Sequence, residues 1–418
     1  MIIKPHRLLV ISLALALALG SSLLKPFDAP VAAADGATFV DPTASLGTRA
    51  NINLGQQVYI GPFANLHSGS MDPRRAVTVG NESNVQDNAT LEAEIAAVTL
   101  GEQVIIAHGA TVRGARILVP QITVGTSKVF AAQIGVTGSC PNGAAKCPSF
   151  VSFNALVDGG IVQKDAMVGA LARVGPGVII PSGYKVLPGK NIATPIQANP
   201  SNGKIVPVTE ADREFMRGVV EVNTCFASSY TQLATEDSNN VLGINYDPGH
   251  CDFNSTRQLP TLGSTHTPTR DTSFRNRIIG DVRMSNTLSD LNAIMGVHIS
   301  LRADEGEPFE VGTISSMADG VVFHALEHTH IHLGNDANYG VRSIIHGGPT
   351  SFAGFIDTTV TGEHFTIGAQ SVFFRSRAGD NCKVGFKSLV QESDLPAGTT
   401  IGDRKVIIGG VEVGVVEW

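Results

Sequence analysis

Aromatic residues are scarce in this chain, at 6% of 418 residues with a single Trp, so a large helical bundle has little bulk to build from. Charged residues are also few, at 16%, and they sum to −7. No basic footprint exists, which argues against nucleic acid as a partner. Long apolar runs are missing as well. The longest, Leu8 to Leu19, falls short of the ~20 residues that a membrane span needs. What the chain has is Gly, 45 of them, together with many Val and Ile. That mixture suits short β-branched strands joined by tight turns, and the length allows two or three domains.

The first residues carry their own message. Lys4 and Arg7 precede the apolar run, and Ala29, Val31, Ala32, Ala33 and Ala34 follow it. A charged start, a short apolar core and small residues describe a secretory signal peptide over 1–34, with an uncleaved anchor as the alternative. The mature chain is then expected in the periplasm or outside the cell, with no membrane segment. Cysteine usage suits an oxidising compartment. Cys140 and Cys147 bracket one polar loop, and Cys225 and Cys251 bracket another. Pairing within each bracket is the simplest connectivity, free thiols being the other reading. Cys382 is left over as a small buried thiol.

An aliphatic–Gly pair recurs through both halves. It runs as Ile60-Gly61, Val79-Gly80, Leu100-Gly101, Val124-Gly125, Val168-Gly169 and Val174-Gly175. It returns in the second half from Ile279-Gly280 to Ile401-Gly402. Short alternating segments such as Val104-Ile105-Ile106 lie between the pairs. This is hexapeptide-type patterning, and it predicts an all-β fold: a left-handed parallel β-helix in two tandem domains. Each aliphatic points into a prism core, and the Gly allows the chain to turn a corner. Stacked coils are required, because one coil cannot bury its own apolar face.

The repeat breaks once. Thr209 with Asp212 approximates a capping box, and Phe215, Val219, Val222 and Phe226 follow at helical spacing. A helix to about Leu233 is expected. The polar stretch after it, rich in Asn, Asp, Thr and Pro, reads as a linker. The expected division is a first β-helix domain with its C-terminal helix over 35–235, a linker over 236–272, and a second β-helix domain over 273–418.

The second half contains Arg302-Ala303-Asp304-Glu305-Gly306, then Asp319-Gly320-Val321-Val322-Phe323-His324-Ala325-Leu326-Glu327, then Ile345-His346-Gly347-Gly348-Pro349. Ile367 to Arg377 adds a further segment. Together these pieces, across most of 274–400, resemble the gamma-class carbonic anhydrases. The resemblance implies a trimerising prism with a metal held between neighbours, two histidines from one prism and a third from the next. His324 and His346 match the first two. The third should fall where Val341 stands, so the second domain lacks a ligand for a copy of itself. Catalytic zinc ordinarily takes three protein ligands and an open water position.

The first half resembles the same family in the complementary part. Asn84-Val85-Gln86-Asp87 matches the segment before the first histidine, and Ala107-His108-Gly109-Ala110 matches the segment with the third. Glu92 and Arg113 occupy the other two histidine positions, and Ser70-Met71-Asp72-Pro73 replaces the Arg-x-Asp-Glu run. The second domain has Ser316 and Ala318 in place of the Asn and Gln. Each domain therefore keeps the half that the other has lost. The expected metal ligands are His108, His324 and His346, at one composite site formed within a chain or between chains.

By the same resemblance the ion is Zn²⁺, with Fe²⁺ or Co²⁺ also compatible with imidazole. It would lower the pKa of bound water to ~7 and supply hydroxide for CO2 hydration to bicarbonate. Glu305 and Glu327 would relay the proton, while Gln86 and Asn84 orient the hydroxide and Glu305. Arg302 and Asp304 are assigned to the domain interface, with Asp87 as their partner across it. Glu92 and Arg113, about one coil apart at a metal-free face, either pair with each other or stand as two independent surface residues. His328, His330 and His332 alternate along one strand and mimic a metal patch, as alternation does on exposed strands. Assembly through β-helix faces into an oligomer is expected. A catalytically inactive scaffold or bicarbonate-binding module, and a hexapeptide-repeat acyltransferase, are the rival readings.

Overall fold

The computed structural model describes residues 36–47, 49–119, 126–305, 308–327, 329–348 and 358–418. The signal-peptide stretch 1–34, the pair Val124-Gly125, Gly306, His328 and Pro349 lie outside those residues. Among the described residues no helix is long and apolar enough to cross a membrane.

Two prisms of parallel strands make up the protein, each a left-handed β-helix with three sheets. In the first prism these sheets have eight, seven and six strands, and in the second nine, eight and five. Successive coils stack in register. Val85 pairs with Ile106, Ile106 with Val151, and Val151 with Val168, all of them fully buried. That inward column, repeated at each corner, is the apolar core the sequence pattern predicts.

Glycine after the aliphatic serves a purpose other than turning. A Cβ on Gly80 would meet Gly101 O at 2.3 Å, and one on Gly101 would meet Gly135 O at 2.2 Å. The coils approach too closely there for any side chain. The left-handed corner positions are filled mainly by other residues, such as Glu82 (φ 55), Gln103 (φ 56) and Asp165 (φ 57).

The long helix Glu210–Glu236 (α1) begins at the Thr209 capping box, in which Thr209 N donates to Asp212 Oδ2 at 2.7 Å. Met216, Val219 and Val220 pack into an apolar seam with residues of both prisms, including Ile105, Phe150, Ile344 and Val372. Phe226 and Tyr230 meet Tyr59 of the first prism. The helix thus covers one side of the joint between prisms. A shorter helix, Leu288–Ile294 (α2), interrupts the second prism and was not foreseen from the sequence.

The stretch read as a linker does more than connect. Ile244–Asn245 pairs with Ile278 and Ile279 as the first strand of its sheet, and Thr261–Leu262 joins another. The C-terminal residues return to the first prism, where Glu417 meets Lys204 at 2.6 Å and Trp418 Nε1 donates to Leu171 O at 2.6 Å. Disulfides join Cys140 to Cys147 and Cys225 to Cys251, the latter tying α1 to the segment after it. Cys382 is a buried free thiol.

Candidate metal centre

Three histidines meet at the joint. His108 follows strand Val104–Ile106 in the corner turn of the first prism. Gly109 (φ +69) allows that turn, and a Cβ there would meet Asn154 Oδ1 at 2.1 Å. Asn154 Nδ2 in turn donates to Arg342 O at 3.0 Å and Gln370 O at 3.1 Å, fastening this corner to the second prism. His324 and His346 are direct register partners on strands Val322–Ala325 and Ile344–Gly347. The structure therefore brings the expected ligands together within one chain.

His324 Nδ1 lies 3.3 Å from His108 Nε2 and 3.4 Å from His346 Nε2. All three ligand atoms fall within 4.8 Å of one another, and all three residues are buried. A tetrahedral ion with Zn–N bonds of ~2.0–2.1 Å holds its ligands about 3.3 Å apart, so the donor set fits. No other such cluster occurs among the described residues.

The outer nitrogens fix which atoms face the centre. His346 Nδ1 lies 2.7 Å from Gly347 O, so Nδ1 carries the proton and Nε2 is left as ligand. His324 Nε2 is 3.1 Å from Glu305 Oε1 and 3.4 Å from Asp304 Oδ1, in ion-pair contact without hydrogen-bond alignment. His108 Nδ1 faces Asp87 Oδ1 at 3.9 Å. Carboxylate or carbonyl oxygens behind each imidazole are what a metal-binding histidine needs.

Burial pushes His108 down to about 3, only partly opposed by Asp87. His346 is also pushed well down, by burial and then by the two neighbouring histidines. Burial and Arg302 oppose the charged form of His324, but Glu305 and Asp304 outweigh them and raise it. Burial keeps two of the imidazoles neutral, and the carboxylates of Glu305 and Asp304 favour positive charge beside the third, surroundings suited to a cation.

Behind the histidines runs a buried ionic chain. Arg302 Nε donates to Asp87 Oδ2 at 2.9 Å across the joint, and Ser300 Oγ donates to the same oxygen at 2.7 Å. Arg302 Nη1 and Tyr230 OH of α1 both donate to Asp304 Oδ2. Burial works against every charge here, yet Arg302 holds both carboxyls below the usual range. The interface assigned to Arg302, Asp304 and Asp87 is a continuous network.

The remaining candidates divide. Glu305 is buried beside His324, and its Oε2 has no partner among the described residues. Glu327 is half-buried in the turn after the His324 strand. Asn84 is fully buried with both amide atoms unpartnered, and Gln86 is buried close by in sequence. Neither amide hydrogen-bonds Glu305 among the described residues, which differs from the expected orienting role. Asn84 sits on the sheet between Tyr59 and Ile105, whereas Glu305 lies past the end of strand Ser300–Ala303, turned to His324. Orphaned buried amides of this kind ordinarily hold water.

Of the two readings of Glu92 and Arg113, the ion pair between them is not the one formed among the described residues. Arg113 Nε donates to Asp158 at 2.9 Å, one coil further on, and Arg173 shares that carboxyl at 2.8 Å. Two guanidinium groups on one carboxylate outcompete the single pair. His330 and His332 lie on a different sheet from the triad.

Phe153 and Phe374 escaped sequence reasoning as site residues. Phe153 stacks 5.9 Å from His108 and 4.8 Å from His346, and Phe374 stands 5.4 Å from His346. Register shows that Phe153 lies one coil beyond His108, since Ile106 pairs with Val151. The hairpin Ala115–Val119 with Thr126–Phe130 and the Cys140–Cys147 loop lengthen that coil and mask the spacing.

No family model matches the chain. It is 27% identical over 155 residues to a carbonic anhydrase from Methanosarcina thermophila, covering 32% of this chain and 54% of that protein. The chain is gamma-carbonic-anhydrase-like. It is also 30% identical over 132 residues to carboxysome assembly protein CcmM from Nostoc sp., spanning 32% of this chain and 23% of that one. Among solved structures, a hexapeptide transferase family protein from Anaplasma phagocytophilum aligns at a TM-score of 0.30 and 20% identity. That alignment covers 46% of this chain and 91% of that one. The gamma-like chain thus spans about a quarter and about half the length of the two curated relatives.

Proposed function

We propose that this chain is an exported, metal-dependent carbonic anhydrase that interconverts CO2 and bicarbonate at one composite site per chain. The observation that carries this reading is the convergence of His108 from one prism with His324 and His346 from the other. Ligand spacing matches zinc, with Fe²⁺ or Co²⁺ as further candidates. A divalent ion held there would make hydroxide available near neutral pH.

The chain's own residues do the rest. Gly347 O fixes the orientation of His346 by a hydrogen bond, and the carboxylates of Asp87 and Glu305 stand behind His108 and His324. Phe153 and Phe374 wall the site with apolar surface, which suits a nonpolar gas as substrate. Hydration of CO2 to bicarbonate releases one proton. Glu305 Oε2 is buried and free to accept it, and half-buried Glu327 is a second carboxylate near solvent. Asn84 and Gln86 supply buried amides for ordered water.

Export is supported by the signal-like start and by the two disulfides, which persist in oxidising compartments. The test is metal content per chain together with CO2 hydration, measured by stopped flow with a pH indicator. One ion per chain with hydration, and a fall of about 10²-fold or more for Glu305→Gln, is the expected result. Bound metal without hydration would instead leave a gamma-like scaffold, in line with the assembly role in the CcmM relatives' name.

A further inference from the structure

Beside the joint between the prisms, away from the histidines, a groove of about 440 Å³ opens to solvent. None of the three histidines and neither Glu305 nor Glu327 lines it. One wall belongs to the first prism. Ser45, Asn65 and Thr90 are direct register partners on successive coils, so their side chains form a polar column. Its rungs are spaced about 4.8 Å apart, close to the span of a small multi-oxygen ligand. None of the three makes a side-chain hydrogen bond among the described residues, leaving an amide and two hydroxyls able to donate.

The facing wall is a corner of the second prism, and Arg342 is its cation. This side chain is half-buried, and burial lowers its affinity for the proton with no carboxylate acting against that. Its one hydrogen bond among the described residues runs from Nη2 to the backbone oxygen of Asn88, at 3.3 Å. Asp319 also lines the groove, but its Oδ1 is engaged by the backbone N–H of Val297 at 2.9 Å.

Other arginines on the prism faces are satisfied differently. Arg113 and Arg173 share Asp158, and Arg302 is held by Asp87 and Asp304. Arg342 alone among these four has no acidic partner. A guanidinium offers five donors in a planar fork, and here one is committed to a carbonyl. The remaining fork matches a carboxylate-shaped anion in two-point contact. The neighbouring position is Val341, so this corner carries no metal ligand that would supply positive charge instead.

We propose that this groove binds a small oxyanion of the bicarbonate type, gripped by Arg342 and by the Ser45–Asn65–Thr90 column, at a site separate from the three histidines. Bicarbonate is the member of that class which the proposed reaction generates, and only this choice of anion rests on the proposed function. The site would hold the anion at the surface of the same joint that contains the metal centre.

The test uses the full chain with its metal and sodium bicarbonate as probe, with sodium chloride at equal ionic strength as reference. The readout is the midpoint of thermal unfolding. At a tenfold excess over its dissociation constant, bicarbonate should raise the midpoint by about 2 °C. Arg342→Gln should weaken that response about tenfold or more while metal content stays at the parent level. Asn65→Leu, which alters the opposite wall and leaves the guanidinium intact, should do the same. A bicarbonate response equal to the parent's in both variants would overturn the site, whatever the activity. An inactive chain that still shows the Arg342-dependent response would remove the anhydrase reading and keep the groove. An active chain without the response would do the reverse.

Discussion

Replacing Arg302 with Leu would strand two carboxylates in the joint between the prisms. Arg302 is 1% exposed, Asp87 and Asp304 are essentially inaccessible, and the guanidinium holds both. Removing one partner of a buried ion pair costs about 3–5 kcal/mol, because a desolvated charge is left uncompensated. Here one cation serves two anions, so the upper part of that range is expected. Spread over a chain of this length, that is a fall of about 5–6 °C in the unfolding midpoint. The triple variant Arg302→Leu, Asp87→Asn, Asp304→Asn removes the stranded charges and should regain more than half of the loss. Metal affinity should drop about 10–100-fold in the single variant, since Asp87 stands behind His108 and Asp304 behind His324. Calorimetry on the parent, single and triple variants, with zinc titration of each, measures both effects. A single variant within about 1 kcal/mol of the parent would refute the network as a fastener of the two prisms.

His108→Ala should abolish metal binding as fully as His324→Ala, and stoichiometric zinc retained in either variant by elemental analysis would contradict the composite centre. Glu92→Gln with Arg113→Gln should leave CO2 hydration within about twofold of the parent and cost about 1 kcal/mol or less, because Arg113 is 42% exposed and Arg173 still holds Asp158. Burial raises Asp247 to about 7, against an unfolded value near ~3.9. The folded chain therefore binds the extra proton, and this contribution is complete below pH ~4 and lost as pH rises through about 7. Asp247→Asn should flatten the stability profile across that window, as followed by denaturant unfolding at several pH values, and an unchanged slope would show that Asp247 titrates normally.

The coil pattern was legible because each aliphatic–Gly pair records a local demand, an apolar side chain inward and backbone contact at the next step. The helix was legible for the same reason, since Thr209, Asp212 and the apolar stripe through Phe226 are short-range signals. The candidate ligands could be named because the losses in the two halves are complementary, Val341 in one and Glu92 with Arg113 in the other. Stacking distance was harder to read. The inserted hairpin and disulfide loop separate His108 from Phe153 in sequence, although they are adjacent between coils. The segment 236–272 looked like a linker because its polar composition hides Ile244 and Leu262, which are buried strand residues.

By itself, then, the sequence determined two stacked-coil prisms, a capped helix between them, and the three histidines that complement one another. These follow from local periodicity and from residue identity at corresponding positions in the two halves. Only the tertiary structure decided that the three histidines meet within a single chain, that Arg113 turns to Asp158, and that Arg342 lines a groove without an acidic partner of its own. Those outcomes depend on how two rigid prisms dock. Docking is set by the apolar seam under α1 and by the Asp87–Arg302 contact, whose partners lie 215 positions apart in the chain. No short-range pattern encodes a meeting at that separation.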